Sequence, residues 1–584
     1  LEMHVSDTTS FLRGKATWHF ETTSSIKGLL FELVDTLAID SVSVDNVSWT
    51  WKHEHNLVVL NETDLAASTL HKVTIAYHGD AGGFGFFSGI SSKADPVWHV
   101  PVTWTLSEPY DANSWFPVKQ VLTYKIDSSD FYFTVAKGLR VGSNGRLVSV
   151  DTLPGGYVTF HWKSSYPIAY YLISMTVAAY QDYTIYAHPQ GMQDPLPVQN
   201  YIYSIPEVLA LNKQNIDTTT YLIELFSSLF GGYPFPKEKY GHCMAPMGGG
   251  MEHQTMTTLN DFGFPLVAHE LTHMWFGDMV TCATWSDIWL NEGFASYGEY
   301  LACEYLGSRK LADEWMVRAH YEAFAAPSGS VYIPEAELAN KSRIFNSSLS
   351  YKKGASIVHM LRYEIGNDSL FFRILRTYLQ RYKYRTATTE EFEKVVEELT
   401  GKDFSGFFNQ WCYGEGYPSL TVSWAQNKGK LHFEILQKSS SEATPLFVFP
   451  LQVKVLFASG DTLITLPITD CSISFDLPVR SRVMGIVADP SGYLLMKALV
   501  YEMDDSGKYM HVFPNPSSHH LYIKFSGEQQ VRNIHIINMA GQVIQDFSSA
   551  DDYLTIDVRR WVSGMYIILV EDKNAKYSAK VLRQ

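Results

Sequence analysis

Cysteine is scarce in this 584-residue chain, which has only Cys243, Cys282, Cys303, Cys412 and Cys471. So few thiols, so widely scattered, exclude a disulfide-built scaffold, and their odd number leaves at least one unpaired within the chain. Basic runs are missing as well, and 46 Lys+Arg against 61 Asp+Glu give a net charge of −15. That balance repels phosphate backbones and anionic lipid, so nucleic acid is excluded as a partner. No apolar run reaches the roughly 20 residues that cross a bilayer. The most apolar stretch, Ala169 to Tyr180, reads as a buried strand, and no transmembrane segment is expected. There is no fixed-period repeat. The start, LEMHVSDTTS, has neither an initiating Met nor an apolar leader, so the chain reads as a mature, processed form or a trimmed one.

What is present points to a folded, multidomain protein. Hydrophobic residues make up 46% and charged residues only 18%, which excludes a disordered acidic chain. The length implies roughly three to five domains. Up to about residue 185 apolar residues alternate with polar ones, as at Val73, Ile75 and Tyr77, so residues 1–185 read as an antiparallel β domain. From about 217 a helical series appears at Leu222, Leu225, Phe226, Leu229 and Phe230, ending at Gly231-Gly232. A later helix is marked by a capping box at Thr388 and Glu391 and a stripe of Phe392, Val395, Val396 and Leu399 before Gly401. Residues 186–418 thus form a mostly helical domain. Alternation returns at Leu431, Phe433 and Ile435 and at Leu451, Val453 and Val455, which predicts a β-sandwich over 419–500. A polar linker precedes a last β block at 512–584, with Leu521, Ile523 and Phe525 on one face. The fold class expected is multidomain α+β.

The informative pentapeptide is His269-Glu270-Leu271-Thr272-His273. On a helix, residues four apart differ by about 40° and 6 Å, so both imidazoles face one ion. Zinc held by two imidazoles and a carboxylate keeps a fourth position open and brings the pKa of water there toward about 7. Glu270, beside the first ligand, is placed to serve that water as a base. Alone the pentapeptide is weak, since chance supplies it in roughly a few percent of such chains. Trp289-Leu290-Asn291-Glu292-Gly293-Phe294-Ala295 strengthens it by setting Glu292 one helix, one turn and one helix entry beyond His273, as a third ligand. Trp275, Phe276, Trp285 and Trp289 read as core. Asp287 is either a partner for a ligand histidine or a solvated turn carboxylate.

Over roughly residues 10 to 498 the chain resembles the zinc aminopeptidases related to aminopeptidase N, which belong with thermolysin among the gluzincins. Their HExxH-x18-E pattern is matched by His269, Glu270, His273 and Glu292, in the setting HELTHMWFGDMVT…WLNEGFA. Their exopeptidase motif, usually Gly-Ala-Met-Glu-Asn, stands here as Gly249-Gly250-Met251-Glu252-His253. Their catalytic tyrosine segment is matched by Tyr351-Lys352-Lys353-Gly354-Ala355. A segment of their first domain is matched by Thr105-Leu106-Ser107-Glu108-Pro109 and Trp115-Phe116-Pro117. Gly250, His253 and Leu106 depart from the usual Ala, Asn and Gln.

The resemblance implies a thermolysin-like catalytic domain, one zinc ion per chain and an aminopeptidase acting on peptides with a free N-terminus. It also implies Tyr351 as the oxyanion donor, with Glu108 and Glu252 binding the substrate's α-ammonium beside Gly249, Gly250 and Met251. Family members often carry a long helical domain over the active site. Here the β-sandwich leads straight to the linker, which implies a more open cleft. The C-terminal block, with Val512-Phe513-Pro514-Asn515-Pro516, Met539-Ala540-Gly541-Gln542-Val543, Gly564-Met565-Tyr566 and Lys580-Val581-Leu582-Arg583, resembles the sorting domain of the bacterial type IX secretion system. That implies the secretion machinery as a partner and export through an outer membrane to the surface or medium. The alternatives are a thermolysin-like endopeptidase, which needs no ammonium anchors, and a peptide-binding protein with a degenerate site.

Overall fold

Alternation at Val73, Ile75 and Tyr77 puts three fully buried side chains on one face of the strand Leu70–Asp80. The computed structural model describes all residues except 84–86, 504–509, 514–516, 518, 526–529, 574–575 and 584. It comprises two units, Leu1–Glu415 with Tyr493–Leu495, and Gly416–Gly492 with Met496–Gln584.

In the first unit, Leu70–Asp80 lies inside an eight-stranded sheet whose neighbours pair antiparallel, except that Glu2–His4 runs parallel to Ser129–Ala136. A second sheet of four strands contains Pro101–Leu106 between Gly89–Ala94 and Met175–Ala178. Its last residues lead into the turn that carries Glu108. The stretch Ala169 to Tyr180 is buried as its composition requires, but it is not one strand. A 3-10 turn at Tyr170–Leu172 precedes the strand Met175–Ala178, and Tyr180 already opens another.

That next strand, Tyr180–Ala187, heads a five-stranded sheet in the order Tyr180–Ala187, Leu196–Tyr203, Tyr240–Met244, Thr257–Leu259 and Gly250–Met251. Helix α1 (Pro206–Phe230) covers it. It starts with a proline in its first turn and stops at Gly231, whose φ of 96° only glycine adopts readily. The helix begins 11 residues before the expected start at about 217, because its first ten residues, though they include Val208, Leu209, Ala210 and Leu211, bury only Val208 and form no amphipathic stripe. Its buried stripe runs through Ile216, Thr219, Leu222, Ile223, Phe226 and Phe230, so of the expected series Leu225 and Leu229 are only half-buried and Ile223 joins the face instead. Helix α2 (Phe264–Thr272), helix α3 (Trp289–Ala302) and helix α4 (Arg309–Ala323) follow. Further on, Thr389–Thr400 carries the expected capping box of Thr388 and Glu391 and ends at Gly401 with φ 67°.

The second unit is all β. Pro418–Asn427 and Lys430–Ser439 pair antiparallel in one sheet, Phe449–Phe457 and Gly460–Ile468 in another. Leu431, Phe433, Leu451 and Val453 are buried between the polar positions that alternate with them. The block after the linker forms two small sheets around Leu521, Ile523, Phe525, Ile534, Ile536 and Ile568. Pro514, Asn515 and Pro516 of its first motif lie outside the described residues.

Candidate active site

Two crossings that only glycine permits bring the site helices together. Where α2 meets α3, a Cβ on Gly298 would fall 2.0 Å from Thr272 Oγ1. Where α3 meets the helix Gly354–Ile365, a Cβ on Gly293 would come within 2.9 Å of the Gly354 backbone. The first contact seats His269 and Glu270, in the last turn of α2, against Glu292 on the first turn of α3. The second sets Tyr351, in the wide helical turn Ser347–Lys353, over the same point. The His269 and Tyr351 rings lie nearly parallel with centroids 5.8 Å apart.

The two Nε2 atoms of His269 and His273 are 3.2 Å apart, and Glu292 Oε2 is 3.2 Å from the first and 3.5 Å from the second. A tetrahedral ion with bonds of about 2.0–2.1 Å spaces its ligand atoms about 3.3–3.4 Å apart. The other ring nitrogens are taken: His273 Nδ1 meets the Phe276 carbonyl at 3.0 Å, and His269 Nδ1 meets Glu299 Oε1 at 3.0 Å. Both partners are acceptors, so each ring carries its proton on Nδ1 and aims an Nε2 lone pair at the common point. Two lone pairs facing one another at that distance repel unless a cation lies between them, so the donor set fits a metal ion.

Glu299 and Lys352 escaped the sequence reading. Glu299 also accepts from the Trp315 indole at 3.0 Å and from Lys352 Nζ at 3.3 Å, while Lys352 lies 4.9 Å over the Trp315 ring. The available signal was position: Glu299 follows Glu292 by seven residues, two turns along the same face of α3. Asp287 is neither of the things expected of it. It is buried, and its Oδ1 accepts from the amide and hydroxyl of Thr389. Trp275, Phe276, Trp285 and Trp289 are buried core residues.

A cleft of 400 Å³ is lined by all ten residues singled out from the sequence: His269, Glu270, His273, Glu292, Tyr351, Glu108, Gly249, Gly250, Met251 and Glu252. Gly250 sits where a Cβ would lie 2.3 Å from Glu270 Oε1, so the edge strand Gly250–Met251 passes directly against the Glu270 side chain, which would have to shift for a larger residue. Glu108 is held from both sides, by the Trp115 indole donating to Ser107 Oγ at 2.9 Å and by the Tyr170 hydroxyl donating to the Pro109 carbonyl. His253 faces elsewhere, its Nδ1 on Thr258 Oγ1 at 2.9 Å, with burial pushing its pKa down to about 3.

The electrostatics of the cleft call for cations. Oxygens of Glu108, Glu252 and Glu292 come within 4.8 Å of one another. Glu108 Oε1, Glu252 Oε1 and Glu270 Oε2 are buried with no hydrogen-bond partner among the described residues. Burial and mutual repulsion push Glu108 well up, and burial drives Glu270 up to about 8. Burial also opposes charge on Glu292, while positive charge on the two imidazoles, which a metal ion would supply at the same point, holds it down to about 2. Burial and the surrounding carboxylates raise Tyr351, which stays a protonated donor.

Against known families, residues 252–411 match the peptidase family M1 domain, and residues 511–584 match a secretion system C-terminal sorting domain. Among curated relatives, aminopeptidase M1-B of Oryza sativa subsp. japonica is 28% identical over 57% of this chain and 38% of its own length. Glutamyl aminopeptidase of Rattus norvegicus is 27% identical over 68% of this chain and 43% of its own. The chain therefore spans about two fifths of the length of these relatives. The crystal structure of an M1 zinc metallopeptidase from Deinococcus radiodurans shares the fold at 20% identity, with a TM-score of 0.62 over 70% of this chain and 91% of that one. The chain thus resembles the M1 zinc peptidases through residues 252–411 and carries a match to a secretion system C-terminal sorting domain at residues 511–584.

Proposed function

We propose that the protein is a zinc-dependent aminopeptidase that removes residues one at a time from the free N-terminus of peptides. His269, His273 and Glu292 would hold one zinc ion, which when bound supplies Lewis acidity that polarises the scissile carbonyl and acidifies water. Glu270, with Oε2 unpartnered and its pKa raised by burial, takes a proton from the attacking water and passes it to the leaving amine. Tyr351 donates its O–H to the oxygen on which negative charge develops, a contribution of about 3 kcal/mol for donors of this kind. Glu108 and Glu252 accept the substrate's α-ammonium. Their fixed distance from the metal-binding residues limits cleavage to one residue at a time.

The observation that carries this reading is the pair of buried, unpartnered carboxylate oxygens of Glu108 and Glu252 in the same cleft as the metal donor set. Endopeptidase action needs no such receptor for a cation. The aminopeptidase names of the relatives support the reading.

Aminoacyl fluorogenic amides and their N-acetylated counterparts test it. Free amides should be cleaved, acetylated ones spared, and a chelator should stop cleavage. Glu252→Ala and Glu108→Ala should each cost on the order of 2 to 4 kcal/mol in kcat/KM. Each loss should be strongly non-additive with acetylation, which removes the same charge pair from the substrate side. Equal cutting of free and acetylated substrates would favour the endopeptidase, and a purified protein without metal would favour a binding role.

The sorting domain points to secretion and cell-surface export. We propose that it is read by the type IX machinery of a bacterial outer membrane.

A further inference from the structure

The first unit has a second cleft, of 560 Å³, whose lining shares no residue with the active-site cleft and which the proposed chemistry does not use. Lys125 and Asp127 line it from the segment leading to strand Ser129–Ala136, and Lys383, Tyr384 and Arg385 from the turn before Thr386–Ala387. In a chain of net charge −15, three basic side chains here meet one carboxylate. Arg385 makes no side-chain hydrogen bond or ion pair among the described residues, and Lys383 is engaged only with the Tyr384 ring, at 5.0 Å. Lys125 Nζ donates to the carbonyls of Asp278 at 2.6 Å and Met279 at 3.1 Å, using two of its three protons. Burial pushes its pKa down to about 7, so an anion beside it would favour its charged form.

The backbone supplies a separate observation. Tyr384, between Lys383 and Arg385, is held at φ 62°, a left-handed conformation that a tyrosine rarely adopts. Its hydroxyl is fixed on the Pro234 carbonyl at 2.7 Å. The fold maintains a strained turn whose flanking residues, Lys383 and Arg385, both line the cleft.

We propose that this cleft binds a small multivalent oxyanion of the phosphate class, held by Lys125, Lys383 and Arg385, and that its occupancy tunes the active site. Both walls are tied to the loop that follows α2. Lys125 holds the carbonyls of residues 278 and 279, and the Thr281 amide donates to the Arg385 carbonyl at 3.1 Å. The same loop fixes His273, whose Nδ1 meets the Phe276 carbonyl and whose own carbonyl accepts from the Asp278 amide at 2.9 Å. An anion that draws Lys125 outward releases two of the contacts that hold this loop.

The kinetic half rests on the peptidase reading; the binding half does not. Inorganic phosphate titrated into the full-length protein at constant ionic strength, followed by phosphorus NMR line broadening, should saturate. With an aminoacyl amide substrate, kcat/KM should shift with the same midpoint. The double variant Lys383→Ala/Arg385→Ala should bind phosphate about tenfold more weakly or worse, the effect of losing charge-assisted contacts, and keep its phosphate-free rate. Asp127→Asn should bind it more tightly. No saturation, or unchanged binding in the double variant, which would place the phosphate elsewhere, overturns the site. Saturation without any kinetic shift leaves an adventitious ion only and overturns the proposal.

Discussion

Exchanging Glu270 for Gln keeps the side chain's volume and removes its basicity, so turnover should fall by 10²-fold or more, the usual span for a lost general base. Zinc content should stay that of the wild type, because Glu270 is not among the converging donor atoms. A zinc-free Glu270→Gln protein, or one keeping more than about a tenth of the rate, would overturn the assignment. Glu299 makes the opposite prediction. It orients His269 through Nδ1, so Glu299→Gln should weaken zinc binding by about 10- to 100-fold, measured by competition with a chromogenic chelator. Lys352→Met should leave zinc in place and lower kcat more than it raises KM, since Lys352 joins the Tyr351 segment to Glu299. An equal change in both constants would show that Lys352 only supports the fold. At this scale the sequence was informative where chemistry demands a fixed spacing. The four-residue step between His269 and His273 needs only helix geometry, and the step to Glu292 one further helix. Tyr351, Glu108 and Glu252 stand out only through family motifs, because nothing in their spacing sets them apart from other tyrosines and carboxylates. Glu299 and Lys352 act through partners far apart in sequence, and charged residues on helices are too common to be read singly.

Helix α4 shows what an element loses when its buried face carries a histidine. His320 lies on that face with Nε2 unpartnered among the described residues, and burial pushes its pKa from 6.5 down to about 4. Between those values the unfolded chain binds a proton that the folded one refuses. Stability from this group is therefore complete above about pH 6.5 and is lost as pH falls toward about 4. The loss is on the order of 1 kcal/mol one pH unit below the upper limit. Melting temperature followed from pH 8 to 5 should fall, and His320→Phe should flatten part of that slope; an unchanged slope would show that other groups dominate. His242, pushed down to about 3 by burial, acts in the same direction. Elements were legible to the degree that their two faces differ. Thr389–Thr400, with its capping box and sharp stripe, matches its pattern closely. The start of α1 lies outside the periodic signal because its apolar cluster Val208-Leu209-Ala210-Leu211 is consecutive and, except for Val208, not buried, so it marks no helical face. Ala169 to Tyr180 was read as one strand because a run buried on every side looks alike as strand or 3-10 turn.

For the whole molecule, the separation between catalysis and export can be tested by removing residues 508–584. Every residue placed in the active-site cleft precedes residue 355 and belongs to the unit Leu1–Glu415. The block after the linker has its own core, with Leu521, Ile523, Ile534, Ile536 and Ile568 buried. Its strands pair with one another in a three-stranded and a four-stranded sheet. Removing it takes away a self-contained hydrophobic cluster and cuts no strand out of the sheets that carry the site. The purified, shortened protein should therefore keep zinc and its kcat/KM on aminoacyl amides, while the native host should fail to deliver it to the surface or medium. Normal export of the shortened chain would overturn the sorting assignment. Lost activity in a protein with an unchanged melting transition for the first unit would show that the last block completes the site. The peptidase portion should also unfold in its own transition, visible by calorimetry in both forms, because two units with separate cores need not melt together. A single transition that disappears with residues 508–584 would show that the units are coupled, and that export and catalysis are properties of one cooperative body.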